Sequence, residues 1–220
     1  MTPATLVQAP VVAPTTLQQT DQRVLLAGVS WQTYQLLLAE LGDHRNSRLA
    51  YDQGVLEITM PSDRHEANKK ILERMLETLT EELDLPTKSF GSTTLNREDL
   101  QKGAEPDSCY YIQNVDRIVG RTIDLVTDPP PDLVIEVDIT SPSSRRFPIY
   151  QQLGVPEIWR YRGGAVEINR LESGEYSLCE QSPTFPIVST AILNQFLQQA
   201  DTQDDTTLLR TWRRWIREQI

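Results

Sequence analysis

The sequence is short of several things, and each shortage narrows the field. Of its 220 residues only two are cysteine and two histidine. Two widely separated thiols, Cys109 and Cys179, form no disulfide framework and point to a reducing cytoplasm. Without a second ligand beside His65, a zinc centre has nothing to stand on. No apolar run approaches the ~20 residues of a membrane span. The N-terminus lacks the charged start and apolar core of a signal peptide. Basic residues are outnumbered, 21 Lys plus Arg against 31 Asp plus Glu, for a net charge of −10. That balance argues against a protein that coats nucleic acid nonspecifically, although a local basic strip can still grip a polyanion. Lysine also runs out early, since none follows Lys102.

What is present suits one soluble domain with tails: 39% hydrophobic and 24% charged residues are ordinary for a globular chain. Residues 1–20, rich in Thr, Gln, Pro, Ala and Val, have no periodicity and read as a flexible leader. A domain over 21–200 and an amphipathic basic helix over 201–220 follow. Ser30 is a candidate N-cap for a helix over 31–41. Strands over 48–51 and 55–60 flank a turn at Asp52-Gln53-Gly54. The longest helical pattern covers 64–84, with apolar residues recurring at three and four positions from Ile71 to Leu83. Short strands are expected at 87–91 and 92–95, a polar loop at 96–104, and strands at 107–112 and 132–139. A helix at 146–153, a strand at 157–161, a meander over 165–170 and 175–180, and helices at 190–199 and 206–219 complete the pattern. The order indicates a mixed α/β or α+β domain.

The chemistry concentrates between Asp107 and Glu136. Glu105-Pro106-Asp107 opens one strand, and Pro131-Asp132-Leu133-Val134-Ile135-Glu136-Val137-Asp138 forms the next. Carboxylates in apolar strands are costly to bury unless paired or bound to metal. Asp132, Glu136 and Asp138 share parity and point to one face. Two carboxylates plus water and substrate oxygens suit Mg²⁺, with Mn²⁺ as an alternative. The structural readings stand beside this one: Asp107 capping a turn, Asp132 opening its strand, Asp138 bonding the Thr140-Ser141 turn. Glu66 either complements the helix dipole or supplies an acid to the site, and adjacent His65 and Glu66 cannot both face it. In the C-terminal helix, Leu208, Leu209, Trp212, Trp215 and Ile216 form an apolar stripe among Arg210, Arg213, Arg214 and Arg217. Trp with Arg serves packing or a homodimer interface first and nucleic-acid contact second.

Taken together, these segments resemble the Uma-type restriction endonucleases, abundant in cyanobacteria, within the PD-(D/E)xK nuclease superfamily. The resemblance covers about 28–198. Its carriers are Ser30-Trp31, Gly42-Asp43-His44-Arg45, the 49–57 hairpin, Met60-Pro61-Ser62-Asp63 with His65-Glu66, Glu105–Asn114, Pro130–Ser143, Phe147–Tyr150 and Leu153–Tyr161. It implies a restriction-endonuclease-like core, a central mixed sheet flanked by helices, and Mg²⁺-dependent hydrolysis of DNA. Asp107 and Glu136 become the metal-binding acids, the Val137 carbonyl a further ligand, and Glu66 the acid of the first core helix.

One departure follows. The superfamily lysine lies two residues beyond the second acid, and here that position is Asp138. Many family members instead place a lysine on the helix after the Ser-Pro-Ser turn, and here Arg146 stands nearest. Arginine stabilises charge at phosphorus but is a poor proton acceptor. A metal ion can activate water without a lysine, and Lys69 or Lys70 can reach in from the helix. The competing reading is a nuclease fold that has lost hydrolysis and serves as a nucleic-acid-binding or protein-interaction module.

Overall fold

Gln53 and Gly54 both carry positive φ, 44° and 97°, the geometry that lets a two-residue loop join twisted antiparallel strands. They connect β2 (Arg48–Asp52) to β3 (Val55–Met60), as the Asp52-Gln53-Gly54 signal leads one to expect. The structure, a computed structural model, describes residues 20–42 and 45–220. The leader expected over 1–20 falls outside the described residues apart from Thr20, as does His44.

Two sheets organise the chain. The smaller has the order β1 (Gln22–Ala27), β3, β2, β6 (Lys102–Ala104), β5 (Leu95–Arg97). The larger has the order β11 (Glu175–Cys179), β10 (Ala165–Glu172), β9 (Glu157–Arg162), β8 (Leu133–Asp138), β7 (Ser108–Tyr111), β4 (Lys88–Gly91). It is mixed: β8 and β9 run parallel through the crossover helix α3 (Phe147–Leu153), and its other pairs are antiparallel. This is the mixed α+β architecture expected, with the strands divided between two sheets.

Two stretches escape sequence patterning. The polar segment 96–104 contains most of β5 and all of β6, because tertiary pairing to β2 overrides its loop-like composition. Lys102 is buried there against Asp52, and a side chain at Gly103 would collide with Asn96 and the Tyr34 hydroxyl. The second is β1, an edge strand paired in register with β3.

The faces of β8 divide by parity. Leu133, Ile135 and Val137 join the main core. That core is built with α2 (Asp63–Glu82), α4 (Thr190–Ala200) and α5 (Asp205–Gln219). Val134 faces the opposite way, with Ile149, Tyr150 and Leu153 of α3 and Ala50 and Ala104 of the smaller sheet. Trp31 and Tyr34 of α1 (Trp31–Leu41) cover the far side of the smaller sheet against Leu49, Tyr51 and Leu56.

The α5 stripe packs within the chain. Trp212 is fully buried, stacks on Trp215 at 4.9 Å, and donates its indole N–H to the Met75 carbonyl. Arg213 and Arg217 pair with Glu81 and Glu82 of α2, so half of the expected basic strip is matched by acids of this same chain.

Candidate active site

β7 and β8 pair with Ser108 opposite Ile135; one step outward, the same antiparallel register sets Asp107 level with Glu136. Both belong to the face shared with α3 and the smaller sheet, and both are fully buried. The Val137 amide donates to Asp107 Oδ2 at 2.7 Å, and His65 Nε2 lies 2.9 Å from Asp107 Oδ1.

His65 is placed by the start of α2. Ser62 caps that helix and accepts the His65 amide, and the first turn carries the imidazole inward. Its Nδ1 lies 3.7 Å from Asp21 Oδ1. The neighbouring Glu66 turns outward. It is half exposed, 3.8 Å from Arg48 and 3.6 Å from Lys69. One of the two adjacent residues had to face away, and it is the acid that does. Lys69 and Lys70 pair with acids of α2 itself, and neither contacts Asp107 or Glu136.

Glu136 is held from the other side. The Tyr150 hydroxyl of α3 donates to one oxygen and Arg146, just before α3, to the other. Arg146 Nε lies 3.7 Å from Glu57 Oε1, and Glu57 Oε2 lies 2.9 Å from Arg23 Nε. Carboxylates and cations thus alternate through a buried cluster: Asp21, His65, Asp107 on one arm, and Glu136, Arg146, Glu57, Arg23 on the other.

The two central carboxylates are tuned apart. Burial pushes Asp107 upward, but the His65 charge and contact, Arg146 and the Val137 amide outweigh it and hold the group below the ordinary carboxylate range. Burial, reinforced by Asp107 and only partly offset by Arg146, pushes Glu136 up to about 8. For His65, burial works against the charge, yet Asp107 and Asp21 prevail and raise it to about 10. Burial and Glu136 lift Tyr150 far above its ordinary value, so it stays a neutral donor.

The flanking acids are structural. Asp138, at the superfamily lysine position, accepts the Ser143 amide and pairs with Arg160, which lies over the Phe147 ring. Asp132 accepts the amides of Ile112 and Asn114. Glu105 binds Arg45, Thr94 and the Leu49 amide.

Sequence reasoning did not place His65, Asp21, Glu57, Arg23 or Tyr150 in the cluster. Glu57 carried no signal, since an acid between Leu56 and Ile58 reads as the solvated face of an alternating strand, and its burial comes from Arg23 and Arg146. Asp21 carried none either, because its partners lie more than forty and about 120 positions away.

The model of the Uma2 family, described as "Putative restriction endonuclease", matches residues 31–201. The chain belongs to the Uma2 family. Comparison with curated proteins gives no match. The Uma2 span contains Asp107, Glu136, Arg146, His65 and Glu57; Asp21 and Arg23 lie before it. No helix of the described residues is long and apolar enough to cross a membrane. Among those residues, no group of three or more His, Cys, Asp or Glu is arranged to hold a metal ion; a cation would rely on the two carboxylates, backbone and water.

Proposed function

We propose that this protein is a Mg²⁺-dependent endodeoxyribonuclease that hydrolyses DNA phosphodiester bonds at the Asp107–Glu136 pair. The observation that carries the reading is the pair itself, two hard oxygen donors facing each other across adjacent strands. Asp107 Oδ1 is buried with His65 Nε2 at 2.9 Å as its neighbour, and a cation there would share the oxygen with the imidazole. The Val137 carbonyl belongs to the residue whose amide already holds Asp107. These donors fit Mg²⁺, which takes one or two carboxylates and completes its shell with water and substrate oxygens. When bound, the cation supplies charge stabilisation at phosphorus and acidifies the attacking water.

The chain's own residues do the rest. His65 keeps Asp107 ionised, as a ligand must be. Arg146, permanently charged, stabilises negative charge on the phosphate in place of the absent lysine. A cavity of about 270 Å³ lined by Asp52, Glu57, Ser144 and Arg145 lies on the outer side of Glu57, the acid that Arg146 contacts.

One observation favours the second reading, a fold that binds without cutting. Both carboxylates are already matched inside the chain, Asp107 by His65 and Glu136 by Arg146, and a cation has to compete with both. A plasmid-nicking assay with Mg²⁺ separates the two. The nuclease reading expects nicking by wild type, loss in Glu136→Gln, and retention in Arg146→Lys. Nicking by Arg146→Lys alone makes the natural chain a degenerate nuclease.

A further inference from the structure

Strand β1 is an unusual place to find site residues. Among the described residues it lies at the edge of the smaller sheet and pairs only with β3, and its Val24, Leu25 and Leu26 are 45%, 43% and 42% exposed. Its apolar residues therefore add little to the core. Its polar residues behave differently. Asp21, immediately before the strand, has a side chain only 1% exposed. Its Oδ1 accepts the Ser62 amide at 3.0 Å, its Oδ2 accepts the Thr140 and Ser141 amides at 3.2 and 3.4 Å, and its own amide donates to Thr140 Oγ1 at 2.8 Å.

Those contacts reach both halves of the site. Ser62 is the cap of α2, one turn from His65, and the Asp21 carboxylate also faces His65 Nδ1. Thr140 and Ser141 begin the turn that leads from Glu136 to Arg146. Two residues after Asp21, Arg23 reaches Glu57, which flanks Arg146 from the opposite side.

The geometry assigns Asp21 as a positioning residue. From outside the span that the family model matches, it ties the His65–Asp107 arm to the Thr140–Arg146 arm, and Arg23 supports the second arm. A buried carboxylate with several donors on separate segments fixes their relative placement, because each donor left without it is a buried group unpaired. Asp21 touches neither Asp107 nor Glu136; it acts through His65 and the turn. The kinetic part of this inference rests on the nuclease reading above; the part concerning His65 does not.

The test uses the full chain and Asp21→Asn, with Leu197→Val in the α4 core as a control for lost stability. The chain has two histidines, so selective ¹⁵N labelling yields two ring spin systems, and His65→Gln assigns the relevant one. The expected result is a displaced His65 Nδ1 signal in Asp21→Asn, with kcat reduced at least about tenfold, the scale of lost outer-shell support. KM for plasmid DNA stays within about twofold. Leu197→Val leaves the ring signal and kcat unchanged at a comparable loss of Tm. An unchanged His65 signal in Asp21→Asn overturns the assignment. So does a fall in kcat that merely follows Tm as in the control. If wild type cuts no DNA under any metal, the nuclease reading fails, and the ring signal alone decides whether Asp21 positions His65.

Discussion

The Asp107 arm and the Glu136 arm are built from the same kinds of group and reach opposite outcomes. Each has a fully buried carboxylate with a cation beside it. Asp107 also receives a backbone amide, and its cation is itself backed by Asp21, so it stays ionised below the ordinary range. Glu136 shares its cation with Glu57 and sees Asp107 as a like charge, so burial wins and it rises to about 8. Neighbouring carboxylates whose proton affinities are driven apart are a recurrent sign of a working site. Since each cation contacts a second carboxylate, the difference lies in the backbone amide that Asp107 receives and the like charge that Glu136 faces.

The largest expected effect treats the arms alike. Asp107→Asn and Glu136→Gln should each reduce plasmid nicking by at least about a hundredfold, the upper range seen even for residues that only support a metal ligand. Calorimetric Mg²⁺ binding should vanish in both. Wild-type Mg²⁺ binding that survives both changes removes the metal site.

Stability should then separate the arms. Arg146→Ala leaves Glu136 and Glu57 facing each other without their shared cation, and breaking a buried pair costs about 3–5 kcal/mol. Asp107→Asn strands protonated His65 and should approach that loss. Glu136→Gln keeps the shape of the side chain and removes the like charge that faces Asp107, so it should cost under about 1.5 kcal/mol. Denaturant midpoints at pH 7 give the ranking, and equal losses for Asp107→Asn and Glu136→Gln would erase the comparison.

How much of this the sequence discloses depends on distance along the chain. The paired acids were legible because a carboxylate inside Leu133–Asp138 contradicts its surroundings, and β-strand parity named its face. The long α2 and its Ser62 cap were legible from local rules. Arg146 was legible only through the family resemblance. The inward turn of His65 depends on the rotation of α2 against β8, and the role of Asp21 on segments far away in sequence. No local pattern encodes either. β5 and β6 were hidden for a related reason, since Lys102 and Gly103 look like loop residues until Asp52 and Tyr34 are placed beside them.

A smaller effect is expected from pH, and the arms occupy different windows. His65 is raised from 6.5 to about 10, so the folded state holds its proton more tightly. Its contribution is fully present below about pH 6.5 and is lost as pH rises through 10. Glu136 is raised from 4.5 to about 8. The folded state again binds the extra proton, and this group costs increasing stability as pH climbs from 4.5 to 8. Tm should therefore fall gradually from pH 5 to 8 and further from 8 to 10. Glu136→Gln should flatten the first interval and His65→Gln the second. A wild-type Tm that is level across both intervals, or variants that flatten the wrong one, would reverse the assignment of the two arms.

The smallest effect is expected outside both arms, at Glu66. Its carboxylate is 48% exposed and loosely placed between Arg48 and Lys69. Exposed pairs of this kind contribute about 0–1 kcal/mol, and an acid in the first turn of a helix adds a few tenths through the dipole. Glu66→Ala should therefore lower stability by less than about 1 kcal/mol and leave Mg²⁺ affinity and nicking unchanged. The value of the variant lies in its contrast with His65→Gln, one position away and facing inward. If Glu66→Ala instead removes tenfold or more of kcat at unchanged Tm, the acid of this helix serves the site after all. The start of α2 must then rotate during catalysis, and the closed cluster of Asp21, His65 and Asp107 describes only the resting state.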